Sequence, residues 1–168
     1  AIGPGTRVGP HTQGGAPGRG RRPGTEHVPL IVCMATAIEI AARDRDANNR
    51  HNANLSRLLH DGLRQIPDLH FNGHPTHRLS NNTNVCLAGV KAEGLLLQLD
   101  RAGIAASSAS ACTSASLEPS LVLLAMGIPP ELAAGSLRLT TGPDNTEADI
   151  QRFLEVISAA VPDLRAQS

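Results

Sequence analysis

Ser107-Ser108-Ala109-Ser110-Ala111-Cys112-Thr113-Ser114-Ala115-Ser116-Leu117-Glu118-Pro119-Ser120 is the stretch on which the reading of the fold turns. Nine of residues 107–116 are Ser, Ala or Thr, and the tenth is Cys112. A buried structural cysteine sits among Leu, Val and Ile, and none of these occurs within four residues of Cys112. Small polar side chains pack poorly, so the composition predicts a loop that presents a reachable thiol. Glu118-Pro119 then reads as a helix opening, with Pro in the first turn and an acid at the positive end of the dipole.

Outward from this loop the pattern alternates between short strands and helices. Downstream, Pro119 to Met126 is helical and stopped by Gly127, and Pro129-Pro130 begins another short turn. Gly135 to Thr141 sets Leu137 and Leu139 against Ser136, Arg138 and Thr140, the period of a strand with one buried face. Thr146 and Asp149 form a capping box before a last helix from Glu147 to about Ala160. Upstream, Ile104 to Ser107 reads as a strand delivering the chain to the loop. Ala92 to Ala102 is an amphipathic helix closed by Gly103. Thr83 to Leu87 and Leu69 to Asn72 are strands joined by a turn at Asn72-Gly73. Val28 to about Ile66 carries apolar residues at helical spacing, interrupted by the polar stretch Arg43 to Asn54, and Pro67 ends it.

Composition narrows the function. The 168 residues carry 15 basic and 15 acidic side chains, which gives no net-charge argument for nucleic acid or a membrane surface. The most apolar stretch, Val28 to Ala37, is too short to span a bilayer. No charged-then-apolar signal segment opens the sequence, so the expected location is the cytoplasm. Aromatic residues are 1% of the chain, so the core must be built from Leu, Ile, Val and Ala. Three widely spaced cysteines make neither a disulfide framework nor a zinc site, and Cys33 and Cys86 read as structural. His70, His74 and His77 have no acid or thiol nearby to complete a metal set, and His51 and His60 read as solvated. Lys91 is the single lysine against fourteen arginines.

The run from Ser110 to Ser120 resembles the active-site loop of cysteine desulfurases of the NifS/IscS type, within the class V aminotransferase-like enzymes that use pyridoxal phosphate. Ala109 stands where that family usually has Gly. Gly20-Arg21-Arg22-Pro23-Gly24-Thr25-Glu26-His27-Val28 is similar to the family's Gly-Arg-Arg-x-Gly-Thr-Glu-Asn-Val segment. The resemblance implies that Thr25 contacts the cofactor phosphate of the other subunit of a dimer. Upstream, Pro17 and Gly18 replace the family's Gln and Glu. Ser136-Leu137-Arg138-Leu139-Thr140 resembles the family's Ser-x-Arg-x-Ser/Thr, which implies that Arg138 grips the substrate carboxylate. A planar guanidinium suits that bidentate contact.

The resemblance implies an α/β fold like the small C-terminal domain of fold-type I pyridoxal-phosphate enzymes: a short, mainly antiparallel sheet of about four strands with helices packed on one side. It divides the chain into a Gly/Pro/Arg-rich arm (1–27), a small α/β domain carrying the cysteine loop (28–162) and a C-terminal tail (163–168). It further implies L-cysteine as substrate and Cys112 as the nucleophile that becomes a persulfide. An iron–sulfur scaffold or sulfur-carrier protein would be the acceptor, and the assembly a homodimer or a pair with a large-domain chain. The family's Schiff-base lysine has no counterpart here, because Lys91 opens a small-domain helix. The expectation is a partial chain, inactive alone, with a sulfur-relay or dimerisation module, or a degenerate remnant, as alternatives.

Overall fold

The computed structural model describes residues 5–6, 9, 13–15, 23–108 and 119–167. These fall into two units, Ala1–Arg45 and Asp46–Ser168. Helix α1 (Val28–Leu63) begins in the first and ends in the second. It is followed by β1 (Leu69–Phe71), β2 (Asn82–Leu87), α2 (Ala92–Arg101), α3 (Leu121–Ala125), α4 (Pro130–Ala133), β3 (Ser136–Thr140) and α5 (Glu147–Ala166).

In the first unit Pro29 sits in the opening turn of α1, where its missing N–H removes no helical bond. The side chains that follow are apolar around the whole helix. Val28, Leu30, Ile31, Val32, Met34, Ile38 and Ile40 are between 47% and 64% exposed. Cys33, expected to be structural, is exposed as well.

In the second unit the same helix has one buried stripe, Asn52, Leu55, Leu59 and Leu63, spaced at three and four residues. The three strands form an antiparallel sheet in the order β1-β2-β3. Val85, Leu87 and Leu137 point from it into a core shared with Leu55, Leu59, Leu95, Leu99 and Ile157. The alternation of β3 therefore works as its sequence predicts, with Leu137 and Leu139 buried and Arg138 exposed. The opposite sheet face carries a smaller cluster, in which Cys86 is buried with Leu123 of α3 and Ala133 of α4. Cys86 is core, as expected.

The structure differs from the sequence reading at three points. Ile104–Ser107 is not a full strand: only Ser107 pairs, in an isolated bridge to Arg138. Helix α5 runs on through Pro162 to Ala166, past Ala160 and into the segment expected as a tail, because Ala160 and Val161 are buried. His51 and His60 are not solvated. The His51 Nε2 donates to the Asn145 carbonyl at 2.8 Å, and the His60 Nε2 meets the Thr83 hydroxyl at 3.0 Å. The capping box is present, with the Asp149 amide donating to the Thr146 hydroxyl and the Asp149 carboxylate accepting from the Thr146 amide.

Gly135, just before β3, is required by close approach. A Cβ there would overlap the carbonyl oxygens of Leu87 and Val90, which are backbone and cannot swing away. Gly135→Ala is expected to cost about 1–3 kcal/mol, read as a lower midpoint in urea unfolding.

Burial, then the Arg78 and Arg64 charges, hold the His60 pKa below its ordinary 6.5, with Asp61 opposing. The unfolded chain therefore binds the proton more readily, so stability is full above 6.5 and falls as pH drops from there toward the lower folded value. His60→Gln is expected to flatten that part of the stability–pH profile.

Candidate active site

Arg138 lies on β3 between two neighbours. Its amide and carbonyl pair with Ser107, at 2.6 Å from Arg138 N to Ser107 O and 3.3 Å from Ser107 N to Arg138 O. In an antiparallel ladder a residue's N–H and C=O point to the same side. Arg138 therefore has no ladder bond toward β2, and its register partner there, Asn84, is a non-hydrogen-bonded neighbour. Side chains in such pairs approach most closely. On its other side Asn84 accepts from the Asn72 amide at 2.9 Å. Asn72, Asn84, Arg138 and Ser107 thus form one row straight across the sheet.

The side chains of this row are also linked. The Asn72 carboxamide donates to Asn84 Oδ1 at 2.6 Å and to Cys86 Sγ at 3.0 Å. The Arg138 guanidinium donates to the Ser107 hydroxyl at 3.4 Å. Burial pushes the Cys86 thiol pKa up, with the Asn72 hydrogen bond opposing, so this cysteine is kept protonated and unreactive.

A cavity of about 390 Å³ opens over the row, lined by Asn72, Asn84, Arg138, Arg78 and Ser120 among others, and no carboxylate lines it among the described residues. Arg78 Nη2 reaches the Asn72 and Asn82 carbonyls at 3.4 and 3.5 Å, and its Nε is buried without a hydrogen-bond partner among the described residues. His74 and His77 border the same cavity. The His74 Nδ1 is occupied as acceptor for the Thr76 and His77 amides, at 3.1 and 2.9 Å, which makes it a loop cap.

Of the sequence-predicted residues, Arg138 is at the centre of this site. Cys112 lies outside the described residues, as does the rest of 109–118. The chain on either side of that segment is described: one stem is bridged to a cavity residue and the other lines the cavity. Ser107 is bonded to Arg138, and Ser120, buried at the start of α3, lines the cavity wall. Thr25 belongs to the first unit, exposed just ahead of α1. Lys91 is exposed at the N-terminus of α2 and does not line the cavity.

Sequence reasoning missed Asn72 and Asn84. Their only local signal is an asparagine before a turn glycine and another within a β-branched strand, and neither spacing reveals that the two meet. Register brings them together.

The sequence pattern described as Aminotransferase class-V matches residues 8–153, and the chain belongs to that family. Within it the similarity is to cysteine desulfurases. The chain is 48% identical over 164 residues to the cysteine desulfurase IscS of Methanosarcina thermophila, covering 98% of this chain and 41% of that protein. It is 44% identical to cysteine desulfurase 2 of Trichormus variabilis, with the same coverage. Among solved structures, the NifS-like protein of Rickettsia africae superposes with a TM-score of 0.82 at 26% identity, over 94% of this chain and 41% of that one. The chain therefore spans about two-fifths of the length of the relatives it matches, and its α/β fold is that of the corresponding part of NifS-like proteins.

Proposed function

We propose that this chain is the thiol-bearing and carboxylate-binding part of a cysteine desulfurase. The observation that carries the reading is that the described residues flanking the Cys112 segment stand at Arg138 and its cavity, Ser107 bridged to Arg138 and Ser120 on the cavity wall. In this reading the Cys112 thiol serves a ligand gripped at Arg138. The absence of carboxylates from the lining among the described residues suits an anionic ligand group.

In the complete enzyme Arg138 holds the carboxylate of free L-cysteine, and Cys112 attacks its sulfur as a thiolate. The new S–S bond leaves a persulfide on Cys112. The broken C–S bond leaves its electron pair on carbon, which takes the sulfur's proton to give L-alanine. The persulfide then passes to an acceptor, an iron–sulfur scaffold or a sulfur-carrier protein. Such enzymes use pyridoxal phosphate as an electron sink. The described residues offer no Schiff-base lysine for that group: the single lysine is exposed at the start of α2 and does not line the cavity. Thr25 is the one residue of this chain proposed to contact its phosphate, across a dimer.

The chain therefore works with a second, large-domain part, in a homodimer or a mixed pair, in the cytoplasm. The apolar exposed half of α1 supports this, because a helix apolar all round is normally covered. The position of Lys91 also favours a sulfur-relay or dimerisation role for the chain by itself. The boundary between arm and domain at 27/28 belongs to this same proposal.

The test is alanine formation from L-cysteine and pyridoxal phosphate, with and without a large-domain chain. Alanine is expected only with the partner, and Cys112→Ala should abolish it while leaving the fold intact. Arg138→Gln should raise the KM for cysteine roughly tenfold or more. Alanine formation that survives Cys112→Ala would overturn the reading.

A further inference from the structure

We propose that Asn84 is a second, specificity-determining donor for the α-carboxylate beside Arg138, turned and held in place by Asn72. This rests on the reading of Arg138 as the carboxylate grip. Three observations support it.

The first is register. Asn84 is the cross-strand partner of Arg138 in a non-hydrogen-bonded pair, so both side chains stand on the cavity face at the closest spacing a sheet allows. The second is orientation. Asn72 is buried, and its carboxamide nitrogen is engaged by Asn84 Oδ1 at 2.6 Å and Cys86 Sγ at 3.0 Å. That contact takes the oxygen of Asn84 and leaves its Nδ2, with two hydrogens, without an acceptor among the described residues. The third is the cavity itself, whose lining among the described residues contains both asparagines and Arg138 but no carboxylate.

A carboxylate has two oxygens and about four lone-pair sites, more than one guanidinium edge uses. An amide donor beside the arginine adds a directional bond without adding charge. It thereby favours a planar carboxylate over a rounder anion that Arg138 alone would also attract. Asn72, tied on its far side to the buried Cys86 thiol, acts as a positioning residue that fixes which end of Asn84 faces the ligand.

The alternative, a purely structural pair, is separable by Asn84→Asp. Aspartate keeps the size and the oxygen that accepts from Asn72, so the fold is preserved. The change removes the proposed donor and places a negative charge where the carboxylate would lie. The isotope-labelled chain is titrated with L-alanine and, in parallel, with L-alanine methyl ester, and the Arg138 Nε–H and Asn84 Nδ2–H resonances are followed. Both are expected to move saturably with L-alanine and not with the ester. In Asn84→Asp the Arg138 response should require a roughly tenfold or greater concentration, with the urea midpoint unchanged. An Arg138 response in Asn84→Asp at wild-type affinity would overturn the role of Asn84 and leave that of Arg138 standing. No movement of Arg138 in the unmutated chain would overturn both.

Discussion

The register of β2 against β3 is the constraint on which the rest of the second unit depends. Side chains alternate along a strand, so a slip of one residue would carry Val85 and Leu87 out of the core and turn Asn84 and Cys86 into it. Gly135 helps to fix that register, because its missing Cβ lets the backbone come against the Leu87 and Val90 carbonyls, and its own carbonyl accepts from the Leu87 amide. At the other end Thr141 closes the ladder by donating to the Asn81 carbonyl. Between these two ends, the pairing of Asn84 with Arg138 follows as a matter of geometry.

The register also explains how one strand serves both core and site. Leu137 and Leu139 bind β3 into the apolar cluster, while Arg138 between them faces the other way, onto the side where α3 and α4 cover only the Cys86 end. The part of that face left open among the described residues is the cavity. A charge there keeps its contact with water and carries no large desolvation cost. The buried thiol one row away illustrates the opposite environment, since burial raises the pKa of Cys86 and removes it from chemistry.

Much of this was legible in the sequence wherever the signal is local. Helical spacing from Leu55 to Leu63, the alternation of Ser136–Thr140 and the Thr146–Asp149 capping box each depend on residues within a few positions of one another, and each is present. The sequence singles out Arg138 because its strand pattern and the family motif it resembles coincide, and the structure puts it on the cavity wall. The contacts that were not legible are long-range ones. His60 meets Thr83, His51 meets Asn145, and Asn72 meets Asn84 and Cys86 only because tertiary packing brings them together. Ser107 looked like part of a strand because Ile104-Ala105-Ala106 is apolar, yet a single bridge to Arg138 is all the pairing it makes.

The apolar half of α1 stands apart from this scheme. The residues that hold the sheet, from Leu55 to Val161, all lie within Asp46–Ser168, and none comes from Val28–Ile40. The geometry of the Asn72–Asn84–Arg138–Ser107 row is therefore set by a core that this unit supplies for itself. The half-exposed Val, Leu, Ile and Met side chains of Val28–Ile40 leave unrealised part of the about 1.5–3 kcal/mol that full burial of each would contribute. A chain spanning 41% of its relatives' length offers a physical reason for that surplus, since the matching proteins carry more polypeptide than is present here. The two halves of α1 thus differ in pattern: the second is amphipathic and serves the core, while the first carries exposed apolar side chains on every side.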